Sequence, residues 1–566
     1  MPKLVLITIL LHLIIWKALP QDNYYANPVK IPILLSGNFG ELRSDHFHSG
    51  IDIKTKGETG IPVHSVADGF ISRISVSPAG FGKALYITHP NGTTTVYGHL
   101  EKFTSKVQKY ITDLQYRKRS FRIDQQLSSS IFPVKKNDLI GYSGNSGSSG
   151  GPHLHFEIRD SRSSKPINPL KYDFSVADNT PPKIFALMIT PLDPYSHVEY
   201  SEAKKIYPVI LNGDTYIIRK SVIPVYGNIG FAIRTNDFFD QSENICGVYS
   251  IELKVDGEPY YSFKMDEFSF DETRYLNSHI DYEEYILSGK RFHKTWLDPG
   301  NKLSIYSYVR NKGIFKVNDG NPHPVSIEIK DIHGNKAVIK FSIVSRVGNI
   351  QANGNEYGQH INFNKQAWYR NDSISINFPA NTFYKDFKFT YRKAPGKLLS
   401  GIHIIHNKTV PLHKSAVISI QPGNVNDKIH EKLLLVNVDT ITGRLSSAGG
   451  SYKNGWVTSN IRSFGNYAVA ADTIPPKIVP LSISNQTILT EASRLRFLIS
   501  DELSGISSVE GYLDGKWILF DYDAKNNLIV HTFDTERFEM GKKHQLKLYV
   551  TDLKSNKSVY EASFYK

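Results

Sequence analysis

A chain of 566 residues is too long for one hydrophobic core, and its length alone implies about three to four domains. With 40% hydrophobic and 21% charged residues it has ordinary globular composition, which excludes a disordered or collagen-like chain. The net charge of +13 suits attraction to anionic envelope polymers, while the lack of a stacking motif or basic helix excludes nucleic acid as an expected partner. Cys246 is the single cysteine, so neither an internal disulfide nor a cysteine-rich zinc site can form.

At the amino end, Lys3 precedes an apolar run from Leu4 to Trp16. That run is short for a membrane span and right for the core of a signal peptide over residues 1–20. The expected location is therefore outside the cytoplasm: periplasmic, envelope-associated or secreted. Cleavage stays open, because Ala18-Leu19-Pro20 matches a small-x-small site poorly. Pro28 and Pro32 then mark a lead-in before a series of short strands with tight turns. Asn91-Gly92, between Leu85–Thr88 and Thr93–Tyr97, predicts a hairpin with a type I′ turn. Thr104 to Gln115 is the one stretch with helical period. It opens an insertion, 104–132, that carries Lys106, Lys109, Arg117, Lys118, Arg119 and Arg122. Its position predicts either a lid or groove wall or a solvated surface excursion. The Gly/Ser run from Gly141 to Gly151 predicts a loop.

Three segments of this region carry candidate metal chemistry: His48-Ser-Gly-Ile-Asp52, Tyr97-Gly-His99 and His153-Leu-His155. In strands, His48 and Asp52 would share a face, as would His153 and His155, while Leu154, Phe156 and Ile158 turn into a core. Two imidazoles and one carboxylate suit Zn²⁺, and three protein ligands leave a fourth position for water. Among 20 histidines a lone His-x-His pair would be ordinary, but three such segments in order are a specific signal. His46, two residues from His48, competes as a ligand on the same strand reading. Glu157 reads either as a partner orienting an imidazole or as a solvated strand residue. His64 and His89 read as structural, and Asp45, Asp68 and Asp138 as turn residues.

The stretch from about residue 36 to residue 172 resembles the lysostaphin/LytM-type zinc metalloendopeptidases, which cleave peptide bonds of bacterial peptidoglycan. The matching residues are His48-x-x-x-Asp52, Gly98-His99, Gly144-Asn-Ser-Gly147 and Pro152-His153-Leu-His155-Phe-Glu157. The resemblance implies a LytM-type antiparallel β-sheet domain over 21–175 with one Zn²⁺ per chain. It implies His48, Asp52 and His155 as ligands, His153 as general base and His99 as oxyanion stabiliser. It also implies peptidoglycan as the partner and substrate. Two other readings stay open: a non-catalytic scaffold that activates another wall hydrolase, and an envelope adhesion or assembly protein that uses its β-modules.

Beyond residue 175 the sequence is β-rich, without zinc-ligand clusters, and is expected to fold independently of metal. Asp178-Asn-Thr-Pro-Pro-Lys-Ile184 repeats as Asp472-Thr-Ile-Pro-Pro-Lys-Ile478. Each linker is followed by similar strands, ending in Ile327–Asn335 and Leu546–Asp552. Period-two alternation with Asp-Gly and Gly-Asn turns predicts Ig- or fibronectin-like β-sandwiches over 176–345, with insertions, and over 472–566, flanking a further β-rich domain over 346–471. Envelope proteins are the expected partners of these modules. Nothing in the sequence signals an oligomeric state.

Overall fold

Short strands of alternating burial pair antiparallel to build the amino-terminal domain. The computed structural model describes residues 24–348, 357–484, 486–489, 494–534 and 536–566, so the signal peptide expected over 1–20 lies outside the described residues. Eleven strands, β1 to β11, carry the frame: Leu35–Gly37, Ile51–Lys54, Pro62–His64, Gly69–Val76, Lys83–Thr88, Thr93–Leu100, Lys102–Phe103, Ile123–Gln126, Pro133–Val134, Leu139–Tyr142 and His153–Asp160. The main sheet runs β1-β2-β11-β6-β5-β4-β8, and a small sheet, β3-β10-β7, lies apart from it. Leu154, Phe156 and Ile158 of β11 are fully buried in the same core as Val63 and Ile140 of the small sheet. The inward face of β11 follows from strand period alone.

Two local readings change in the structure. The hairpin between β5 and β6 is not a type I′ turn, which needs positive φ at both central residues. Pro90 and Asn91 occupy the centre of the turn, Gly92 N–H donates to His89 O at 3.2 Å, and only Gly92 takes a positive φ, +83°. Proline at the first central position cannot adopt positive φ. His48 lies in irregular chain before β2 rather than in a strand.

The insertion forms helix α1, Ser105–Lys118, which buries Val107, Ile111 and Leu114 in the amino-terminal core. Its outer side meets the carboxy-terminal module. Tyr116 packs edge-on against Trp517 at 5.3 Å, Lys109 pairs with Glu536 at 2.7 Å, and Arg537 reaches Asp113.

The remaining chain is β-rich: the strands of the second module join in one 12-stranded sheet, while the third region and the last module each pair two larger sheets. Ile374, Ile376 and Phe378 of one five-stranded sheet pack against Leu433, Leu435 and Val469 of another, the polar residues between them facing outward. Leu546, Leu548 and Val550 do the same in the last module. The second module is joined to the amino-terminal domain by exchanged side chains. Phe39 and Phe47 enter the core of the second module and stand 5.0 and 5.7 Å from Phe268, while Phe239 and Cys246 enter the amino-terminal core. Among the described residues, no helix is long and apolar enough to cross a membrane.

Candidate metal centre

Three adjacent strands bring the site together. In β2 and β11, Asp52 lies directly opposite His155, and His155 in turn faces Gly98 of β6. Cross-strand register thus places a carboxylate and an imidazole on one face, and His99 follows one residue later. His99 has φ +58°, the left-handed region that non-glycine residues seldom adopt, and the turn of chain aims its ring back over the site. The rings of His99 and His153 are 4.8 Å apart.

Asp52 Oδ1 is the focus. It stands 3.1 Å from His48 Nε2, 2.9 Å from His155 Nδ1 and 3.4 Å from His153 Nε2, while His48 Nε2 and His155 Nδ1 are 3.1 Å apart. The opposite ring atoms are tied outward. His48 Nδ1–H donates to the Asn38 carbonyl at 2.8 Å, and His155 Nε2–H donates to Glu157 Oε1 at 2.8 Å. Such outward bonds fix the tautomer and turn the other nitrogen's lone pair inward. Arg43 donates to Asp52 Oδ2 at 2.8 Å, which leaves Oδ1 as the inward donor. His48, Asp52 and His155 are all buried, and their convergent N, N and O atoms fit one tetrahedral ion with an open position.

Electrostatics point the same way. Burial opposes its charge, yet His48, His153 and His155 hold the Asp52 carboxyl well below the usual carboxylate range. Burial also opposes a charged His155, but Asp52 and Glu157 push it up to about 9. Glu157 is fully enclosed; despite burial, Arg159 and His155 bring it down to about 2. The cluster therefore attracts positive charge. His99 behaves oppositely: burial, then His155 and His153, push it down to about 3.

The two remaining histidines have matching outer bonds. His99 Nδ1–H donates to Ser146 O at 2.8 Å and His153 Nδ1–H to Gly151 O at 2.9 Å, so each presents Nε2 to the site. Beside His153 opens a cavity of about 350 Å³ lined by Gly151, Pro152, Lys54, Lys56 and Asn244.

All five residues singled out from sequence, His48, Asp52, His99, His153 and His155, come together here. His46 does not: it is exposed and pairs with Asp45 at 2.9 Å. The strand-face argument for His46 fails because the chain is irregular there. His89 is structural, bonded to Asp68 O and Thr95 Oγ1 at 2.8 Å each. Glu157 takes the orienting role, with Arg159 and Ser49 holding it in turn at 2.5 Å. Sequence reading missed Asn38, Arg43 and Arg159. Arg159 shares the β11 face of Glu157, so period two could have found it; the other two carry no spacing signal.

Part of the outer support comes from the second module. Gly247 clamps the Asn38 side chain through two bonds of 2.7 Å, and Arg159 lies over the Phe270 ring at 4.6 Å.

Residues 46–115 match peptidase family M23, and residues 358–472 match the Zu5-like domain. The chain is similar to the DD-carboxypeptidase/endopeptidase Mpg of Neisseria meningitidis serogroup B, 33% identical over 140 residues, which cover 25% of each chain. It is also similar to the peptidoglycan DD-endopeptidase ShyA of Vibrio cholerae, 29% identical over 176 residues, covering 30% of this chain and 34% of that one. The catalytic domain of lysostaphin from Staphylococcus simulans is similar at 22% identity and a TM-score of 0.19, over 25% of this chain and 90% of that one. The chain spans about a quarter of the length of the first of these relatives. The family match thus falls within the amino-terminal domain, over residues 46–115, in a stretch that is 33% identical to the Neisseria relative.

Proposed function

We propose that the amino-terminal domain is a zinc-dependent endopeptidase that hydrolyses peptide cross-links of bacterial peptidoglycan, acting outside the cytoplasm where that polymer lies. The observation that carries this reading is the convergence of His48 Nε2, His155 Nδ1 and Asp52 Oδ1 on one point, each held by an outward bond. A zinc ion held there would supply Lewis-acid polarisation of a water and of the scissile carbonyl. His153 Nε2, an acceptor beside the open cavity, takes the proton of the attacking water and passes it to the leaving amine. His99 is kept neutral by burial; in the tautomer that carries its one proton on Nε2, with the Nδ1 bond to Ser146 O given up, it would donate to the developing oxyanion. Its close ring contact with His153 supports the two acting as a pair. The relatives' names support peptidoglycan as the substrate class, and the complete set of five side chains favours an enzyme over a non-catalytic scaffold.

The test is five alanine variants, each assayed for bound zinc and for digestion of purified peptidoglycan. His48→Ala, Asp52→Ala and His155→Ala should lose both zinc and activity. His153→Ala and His99→Ala should keep near-stoichiometric zinc and lose about 10²–10⁴-fold in turnover, the usual contribution of an acid–base group. Wall digestion at the parental rate by all five would overturn the hydrolase reading.

A further inference from the structure

The repeated linkers of the second and last modules each bring an aspartate to a cluster that the peptidase chemistry does not use. In the second module, Asp178 of the linker, Asp237 at the end of strand Ile223–Asn236 and Asp331 in the turn before strand Lys336–Ser345 are all buried. Each offers a carboxylate oxygen within 4.8 Å of the others. Asn335 orients Asp331: its backbone N–H and side-chain amide donate to the two oxygens at 2.9 and 2.7 Å. The same amide donates to the Asp178 carbonyl at 3.1 Å, tying the linker to the turn.

What sets this cluster apart from an ordinary acidic turn is that two of its buried oxygens, on Asp237 and Asp178, have no hydrogen-bond partner among the described residues, while Asp178 Oδ1 accepts from Thr180 N–H at 3.0 Å. Asp237 is 1% exposed, and its Oδ1 has no hydrogen-bond donor among the described residues. Asp178 has a fully enclosed side chain, and its Oδ2 also lacks a hydrogen bond, with His333 Nδ1 standing off at 3.6 Å. Leaving buried carboxylate oxygens unpaired is costly, several kcal/mol each by order of magnitude.

The last module holds the same arrangement in Asp472, Asp501 and Asp552, with Asn556 donating to the Asp472 carbonyl at 2.9 Å and to Asp552 at 2.7 Å. Its charge is met differently. Lys554 occupies the place of His333, two residues past the aspartate; its ammonium donates to the Leu433 and Gly450 carbonyls and lies near enough to Asp472 and Asp552 for their charges to act on it. The Asp472 oxygens there accept from Ile474 and Ser504 N–H. One cluster thus has a lysine beside it, and among the described residues its counterpart has none.

We propose that Asp178, Asp237 and Asp331 form a binding site for one divalent cation of the calcium class. An all-oxygen set of carboxylates is what a hard cation takes, and its irregular, partly backbone-tied geometry suits Ca²⁺ better than the strict octahedron of Mg²⁺ or the nitrogen-rich sites of Zn²⁺. The ion would pin the linker to the base of the 237–247 loop, which closes through paired Asp237 and Cys246 backbone bonds of 3.0 and 2.9 Å. That loop ends at Gly247, the residue that clamps Asn38.

The test uses the full, zinc-loaded chain in buffer freed of other divalent ions by a chelating resin, titrated calorimetrically with CaCl₂, with MgCl₂ and ZnCl₂ as separate arms. One Ca²⁺ per chain is expected, at least tenfold tighter than Mg²⁺, with an upward shift of the unfolding midpoint at saturation. Asp237→Asn should abolish both binding and shift. Without calcium it should melt at or above the parent, because an unpaired buried acid beside Asp178 and Asp331 has gone; a merely structural aspartate would melt lower. Asp178→Asn serves if Asp237→Asn does not fold. His48→Ala should still bind calcium, which separates this site from the catalytic one, and so should Asp552→Asn. Absence of calcium binding at millimolar concentration, two ions per chain, preference for zinc at this site, or unchanged binding in both Asp237→Asn and Asp178→Asn would each overturn the proposal.

Discussion

One oxygen, Asp52 Oδ1, meets three imidazoles, while Arg43 takes the other oxygen of the same carboxylate. This division makes the carboxylate a single-point donor and leaves His155 between two anions, Asp52 and Glu157. His155, raised to about 9, therefore carries a proton in the metal-free protein at neutral pH. A metal takes the neutral ring, so binding must expel that proton. The sign follows: lowering pH strengthens the competing proton, and raising pH favours the metal. Apparent zinc affinity should rise about tenfold per pH unit between pH 6 and 9 and level off above, from one released proton. Zinc titrations against a competing chelator at pH 6, 7 and 8 check this. A flat profile would mean that His155 is already neutral without metal.

At the scale of elements, the loop 38–41 and the loop 238–247 hold each other. A Cβ added at Gly247 would stand 2.7 Å from Glu41 Cα, a backbone atom that cannot step aside. Gly247→Ala should push the loops apart and release the Asn38 clamp, and with it the carbonyl that orients His48. The expected cost is about 1–3 kcal/mol, as for overpacking. Thermal unfolding and zinc content read together check it, since both should fall. The loop between β10 and β11 has its own brace: Lys525 of the last module donates to the carbonyls of Asn145 and Ser149, and Ser149 Oγ is 3.2 Å from His153 Nδ1. Lys525→Ala should keep its zinc but lower kcat, up to about 10²-fold if the ring of His153 shifts by an ångström. Kinetics on a soluble peptide against metal analysis decide it; parental kcat would remove the brace from the mechanism.

For the whole molecule, the exchange of side chains between the first two modules governs stability. Phe39 and Phe47 are 2% and 1% exposed inside the core of the second module, so the two share packing, and this module is expected to unfold with the amino-terminal domain rather than independently of metal. Residues 24–345 should unfold in one transition that moves as a whole when zinc is chelated. Phe47→Ala should cost about 3–5 kcal/mol, as for a large core aromatic, and lower that same transition. Calorimetry of the full chain checks it; two transitions, with only the first shifted by chelation, would contradict it.

Much of the candidate site was legible in the sequence because its information is local. The alternation of β11 alone separates His153, His155 and Glu157 from Leu154, Phe156 and Ile158, since strand period needs no partner. The β-rich class followed from the same alternation. The pairing of His48 with Asp52 was reached for a different reason than the one that holds: irregular chain, not a strand face, carries His48 to the site, so His46 could not be sorted from it by parity. Asn38, Arg43 and Gly247 depend on contacts between segments far apart in the chain, and no spacing encodes them. The buried carboxylates Asp178, Asp237 and Asp331 are the sharpest case, because the sequence beyond residue 175 read as free of metal-ligand clusters. Sequence by itself determined which side chains could do chemistry and which strand faces they occupy. Tertiary structure alone decided which distant oxygens and nitrogens share one desolvated volume, because burial and charge are properties of that volume and not of any segment.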